Sequence, residues 1–157
     1  MTDARFEDGD ESPLRLIALE PADLQVMAAL LQDAVFPITE MRHDPKPRRF
    51  AILLNRFRWE DRAAAEAAKR PYERVRSLLV IEDVLRLRST GIDRSDREAI
   101  LSLLSLDFAP GQDGTGTLTL TLAGDGAIAI EVEAISLRLE DVTRPYAAPS
   151  GKVPDHG

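Results

Sequence analysis

Thirteen consecutive residues, Arg48 to Glu60 (RRFAILLNRFRWE), constrain this chain more than any other stretch. They form its densest apolar run flanked by charge and hold the only Trp and two of the five Phe. Read with period 2, one face carries Phe50, Ile52, Leu54, Arg56 and Arg58, and the other Ala51, Leu53, Asn55, Phe57 and Trp59. Residues 50–54 are therefore apolar on both faces, as in a strand covered on both sides. From residue 55 one face turns cationic while the other stays aromatic. The pattern predicts a central strand that leaves the core at its C-terminal end, with Trp59 buried.

The rest must be organised around that strand within 157 residues, long enough for one domain with a sizeable core. The absence of cysteine excludes disulfides, thiolate metal sites and a thiol nucleophile. The acidic start, Met1 to Glu11, has no secretory pattern, and no apolar run approaches the ~20 residues of a membrane span. A cytoplasmic location is expected. Charge is strongly segregated: residues 1–41 sum to −7, residues 42–97 to +6 and residues 98–157 to −6. Either these segments neutralise one another in the fold, or the middle one offers a basic patch to an anionic partner.

In chain order, 1–13 reads as a flexible acidic arm and 14–19 as a short strand. Pro21 at a first helical position and Asp23 near the positive dipole end start a helix. Leu24, Met27, Ala28, Leu31 and Ala34 at helical spacing carry it over 21–34. Val35 to Met41 reads as a strand bent at Pro37. The alanine-rich 61–70 is helix-prone but lacks a large apolar anchor, so an exposed excursion is expected. Residues 72–88 read as one long strand with a bulge near Glu82-Asp83. Ser95-Asp96-Arg97-Glu98 fits a capping box, predicting a helical turn before a strand.

Strands 117–122 and 127–133 flank Gly124-Asp125-Gly126. A three-residue loop sets Leu118, Leu120 and Leu122 against Val132, Ile130 and Ile128, with Gly126 at positive φ, and keeps the threonines opposite glutamates. Ala134 to Val142 extends the second strand, and 143–157 reads as a flexible tail. The whole predicts an α+β domain over 14–142. Its sheet is mainly antiparallel, of about six or seven strands, strongly curved or barrel-like, with one principal helix.

Candidate chemistry is sparse. His43 beside Asp44 could be a base oriented by a carboxylate, but neighbours in an extended turn point apart. Glu131 and Glu133 share a strand face with threonines, the pattern of a solvated sheet. Gly111 to Gly116 has the glycines of a phosphate loop without its lysine or its helix. Arginines stand out instead. Antiparallel pairing of 49–59 with 73–88 would bring Arg56 and Arg58 near Arg74 and Arg76, a candidate anion or partner surface compensated by carboxylates of this chain. Phe57 and Trp59 form a candidate apolar contact. They point away from the arginines along the strand, which argues against nucleic acid, whose bases want both on one face. No metal or cofactor is expected.

Residues 31–35 (LQDAV), the run 48–60, residues 88–93 (RSTGID) and the glycine-rich hairpin with its following Val-Glu-Ala resemble a small alphaproteobacterial family catalogued only as a domain of unknown function. The resemblance spans about residues 14 to 146. It implies a free-standing cytosolic bacterial protein and carries over no functional residue. The leading expectation is a non-enzymatic binding or protein-interaction module, with a protein partner or a homodimer. The alternatives are an enzyme or sensor acting on an anionic small molecule through Arg and carboxylate, and a nucleic-acid binder.

Overall fold

The computed structural model describes residues 12–154; the expected N-terminal arm lies almost wholly outside them. The chain runs β1 (Arg15–Ala18), α1 (Pro21–Leu31), β2 (Val35–Pro37), a 3-10 turn (Ile38–Glu40), β3 (Met41–Asp44) and β4 (Arg49–Phe57). A second 3-10 turn (Trp59–Asp61) leads into α2 (Arg62–Ala68), β5 (Glu73–Ile81) and β6 (Val84–Thr90). Then follow β7 (Ile100–Pro110), β8 (Gly116–Leu122), β9 (Ala127–Val132), β10 (Leu137–Asp141) and β11 (Tyr146–Ala147).

All strand pairs are antiparallel, in the order β1-β10-β5-β4-β2-β7-β8-β9-β6, with β3 also on β4 and β11 also on β5. The mainly antiparallel sheet is as expected, but it has eleven strands rather than six or seven. Nor is it a barrel: the path is open, ending at β1 and β6, which do not pair with each other. Two apolar runs account for much of the miscount. Residues 72–88 are not one bulged strand, because Asp83 takes a left-handed φ of 57° and sends β5 and β6 to different neighbours. Likewise 127–142 breaks after Val132, and β10 crosses to lie between β5 and β1.

One core unites both halves. Phe50, Ile52 and Leu54 of β4, Leu79 and Ile81 of β5, and Leu137 and Leu139 of β10 meet the inward rows of β8 and β9. From α1, Leu24, Met27 and Leu31 close this core. The helix begins as read, with Pro21 at its start and the Asp23 carboxylate accepting from the Leu19 and Glu20 amides. It stops at Leu31, three residues early, because Asp33 enters the left-handed region (φ 64°) and the Asp33 and Leu103 amides exchange hydrogen bonds with β7 and Ala34.

Local patterns lose to sheet pairing in two places. Residues 95–98 form turns, not helix: Asp93 and Asp96 spend their carboxylates on the amides of Ser95 and Glu98. Ile100 to Pro110 is one strand, paired with β2 and then β8. The β8–β9 hairpin buries the expected faces, yet Leu120 sits opposite Ile128 and Leu118 opposite Ile130. That is a two-residue shift, which leaves every side chain on its expected face. The turn decides it: the positive φ falls on Gly124 and Asp125 rather than Gly126. Beyond Val142, Tyr146–Ala147 pairs with β5 and Ala148 is buried.

Gly91 follows β6 with φ +69°, and a Cβ there would lie 2.6 Å from the Asp125 carbonyl oxygen. Gly124 has φ +81° with open space around it. Gly91→Ala should therefore cost more than about 1 kcal/mol, and clearly more than Gly124→Ala, which meets only the backbone penalty. Urea unfolding of both variants tests this; equal losses would contradict the backbone contact between residues 91 and 125.

Candidate functional site

The fold treats its arginines in two ways. Those at the end of β4 are taken inside. Antiparallel register puts Leu54 opposite Ser77 and Ser77 opposite Asp141, so these side chains share the core face with Arg56, two residues along from Leu54. Arg56 is fully buried. Its Nη1 and Nη2 donate to Glu60 at 2.9 and 2.8 Å, Nη2 donates to Asp141 Oδ1 at 3.0 Å, and Nε to Ser77 Oγ at 3.1 Å. Ser77 Oγ donates to Asp141 at 2.7 Å, and the Leu14 amide caps the other Asp141 oxygen at 3.0 Å.

Burial opposes the Arg56 charge, but Glu60 and Asp141 outweigh it and hold the guanidinium protonated more firmly than usual. Burial likewise pushes the Glu60 carboxyl up, and is outweighed by the hydrogen bonds and charge of Arg56, which leave it below its ordinary range. Next along, buried Arg58 pairs with Glu73 and lies 3.7 Å from Asp61. Arg70 clamps Asp61 with bonds of 2.7 and 2.8 Å, the main cause of that carboxyl's lowered pKa. These pairs, with buried Ala65, anchor α2 at its base, so the excursion is held despite its lack of a large apolar residue.

The structure does not gather Arg56, Arg58, Arg74 and Arg76 on one surface. Arg56 faces Val75 in register, whereas Arg74 and Arg76 lie opposite Phe57 and Asn55 and so share the other face. Arg74 is half-buried and donates to the Asn55 carbonyl and side chain; Arg76 is exposed. Phe57 is not a surface contact: it is fully buried against Trp59 and Tyr72, with ring centres 4.7 and 5.6 Å away. Trp59, expected inside, is half-buried, and its indole N–H donates to the Gln32 carbonyl at the end of α1. Glu133 pairs with Arg48 at 2.7 Å, and Glu131 lies 4.0 Å from both Arg86 and Arg88. The 111–116 glycines connect β7 to β8.

The second arrangement is a cavity of about 300 Å³. In register His43 pairs with Phe50 and Met41 with Ile52, so β3 sets both side chains on the core-ward face of β4. Across from them Leu87 and Ser89 of β6 pair with Ile130 and Ile128. Between these two faces the floor is apolar, built from Ile38, Phe50 and Ile128, all buried, with Met41, Leu87 and Ile92 half-buried around them. Around the mouth stand exposed Thr39, His43, Arg94 and Arg97, with half-buried Ser89. No carboxylate lines it. Sequence reasoning weighed His43 only as a base beside Asp44 and passed over Arg94 and Arg97. The usable signal was coarser, since all three lie in the basic segment 42–97.

Among the described residues these features define a mainly antiparallel sheet with two α-helices, an internal ion network and an open cavity. The chain belongs to the family described as Protein of unknown function (DUF2948), whose model matches residues 14–156. No curated protein and no solved structure matches it. Among the described residues no helix is long and apolar enough to cross a membrane, and no cluster of three His, Asp or Glu side chains could hold a metal ion.

Arg56→Ala strands two carboxylates and should cost about 3–5 kcal/mol in urea unfolding. Glu60 contributes to the pH dependence of stability, because its folded pKa lies below its ordinary 4.5. Its contribution is complete above that value and is lost as pH falls through the folded pKa. Wild type and Glu60→Gln should therefore differ in unfolding midpoint at neutral pH and converge as pH falls through the folded pKa of Glu60. A gap that persists undiminished at acid pH would show that the Glu60 charge plays no part.

Proposed function

We propose that the protein is a non-catalytic binding module that seats a small organic molecule in the cavity between β3–β4 and β6–β9. The cavity carries this reading: an apolar floor under a polar mouth is the usual form of a small-molecule site. Its volume lies at the lower end of such sites, which suits a metabolite-sized ligand. Arg56 and Glu60, bonded to each other, and Asp61, bonded to Arg70, have shifted pKa values but line no part of it. At the mouth, His43 has no carboxylate among the lining residues to orient it or share a proton, so acid–base catalysis lacks its second partner. The arginines expected to form an anion surface, Arg56 and Arg58, are consumed by internal pairs. The module belongs, in this reading, in the cytoplasm of a bacterial cell.

The amphipathic dye 1-anilinonaphthalene-8-sulfonate tests the site. Titration should give saturable fluorescence enhancement, and Thr39→Trp, which fills the mouth from an exposed position, should weaken binding about tenfold or more, a loss of ~1.4 kcal/mol. Equal dye binding by wild type and a normally folded Thr39→Trp variant would place any dye site elsewhere and sink the proposal.

A further inference from the structure

The mouth of this cavity is not merely polar; its charge is all of one sign. Arg94 and Arg97 are exposed, and among the described residues neither makes an ion pair or hydrogen bond. Arg56, Arg58 and Arg70, by contrast, are all matched to carboxylates. Acids are close in sequence, but they are used otherwise. Asp93 accepts from both the amide and the hydroxyl of Ser95, at 3.0 and 2.6 Å, and Asp96 accepts from the Glu98 amide at 3.2 Å. Asp93 and Asp96 thus fold the loop, and Arg94 and Arg97 stand at the mouth without an ion pair among the described residues. Around them the remaining polar groups, His43, Thr39 and Ser89, can all donate. A donor-rich mouth above an apolar floor is complementary to a ligand with an oxyanion at one end and hydrocarbon at the other.

Resting on the binding-module reading, we infer that the ligand is an amphipathic organic oxyanion. Its carboxylate or phosphate monoester head is held by Arg94 and Arg97, and its apolar body lies on Phe50, Ile92 and Ile128. The cavity's volume of about 300 Å³, at the lower end of small-molecule sites, limits the body to a short chain or a single ring system.

Methyl-detected NMR of the full chain, following Ile38, Ile92 and Ile128, provides the test with three probes: octanoate, hexyl phosphate and the neutral 1-octanol. At least one oxyanion should shift these methyls and bind about tenfold more tightly than 1-octanol, the gain expected of charge-assisted hydrogen bonds. Whichever oxyanion binds better identifies the head. In Arg94→Gln/Arg97→Gln, two exposed changes, the better oxyanion should fall to the level of 1-octanol while 1-octanol itself is unchanged. If 1-octanol binds wild type as well as either oxyanion, or the double variant keeps the preference, the oxyanion inference is overturned while the module reading stands. If none of the three moves the methyls, the module reading falls with it.

Discussion

Everything at one end of the sheet depends on Arg56 having its partners. A guanidinium fully withdrawn from water carries a desolvation cost of several kcal/mol, which only well-placed opposite charge offsets. Glu60 comes from the turn after β4, Ser77 from β5 and Asp141 from β10, so three strands and a turn must arrive in register for the charge to be tolerated. A one-residue slip of β5 or β10 would swing Ser77 or Asp141 to the far face and leave Arg56 short of partners. Three apolar side chains on the same face of β4, Phe50, Ile52 and Leu54, supply burial energy that a slipped pairing of equally apolar strands would recover in part. The ionic group at the end of the row is less forgiving, and it rules such slips out.

The same logic accounts for the segregated charge. Within the basic segment 42–97 the cations first use local acids: Glu60 and Asp61 in the turn, Glu73 at the start of β5, and Glu82 beyond its end. The acidic C-terminal third supplies several more, through Asp141 to Arg56, Glu133 to Arg48, and Glu131 near Arg86 and Arg88. The exposed pairs contribute little singly. Their collective effect is that this basic stretch is largely neutralised before any partner arrives.

Periodicity made α1, the two-sided apolar β4 and the inward rows of β8 and β9 legible, because each is a local pattern that burial enforces. Register was not legible. Pairing Leu120 with Ile128 or with Ile130 buries the same six side chains, so the choice rests on the left-handed conformations of Gly124 and Asp125. The breaks at Asp83 and after Val132 were hidden because β5, β6, β9 and β10 are all strand-forming runs, and nothing in their composition says which neighbour each will take. Ser95 to Glu98 shows the same limit from the other side. A carboxylate near a free amide can cap a helix or close a turn, and only the pairing of β7 with β2 and β8 selects the turn. As for the sites, Arg56 reads in the sequence as a surface residue, whereas the fold buries it. Its burial follows from which strand lies beside it. His43, Arg94 and Arg97 meet because β3 and the 91–99 loop converge on one mouth, which no spacing within the chain encodes.

The contrast between the two groups of arginines is finally one of preorganisation. Arg56 and Arg58 are buried and held in place by carboxylates of this chain. Arg94 and Arg97 keep their donors, and their loop is fixed at both ends rather than by their own side chains. At one end Gly91 packs against the backbone of Asp125 and Gly126 so closely that a Cβ would collide. At the other the Ala99 carbonyl accepts from the Ile38 amide at 2.9 Å. Between them Asp93 and Asp96 close the loop onto itself. The backbone carrying both cations therefore needs no reordering to meet an anion, and only two side chains must settle. Each such side chain costs roughly 0.5–1.5 kcal/mol to immobilise, comparable to or below the ~1.5–3 kcal/mol of a hydrogen bond to a charged group. The balance favours capture, because the Asp93 and Asp96 carboxylates are committed to the loop rather than to the two arginines.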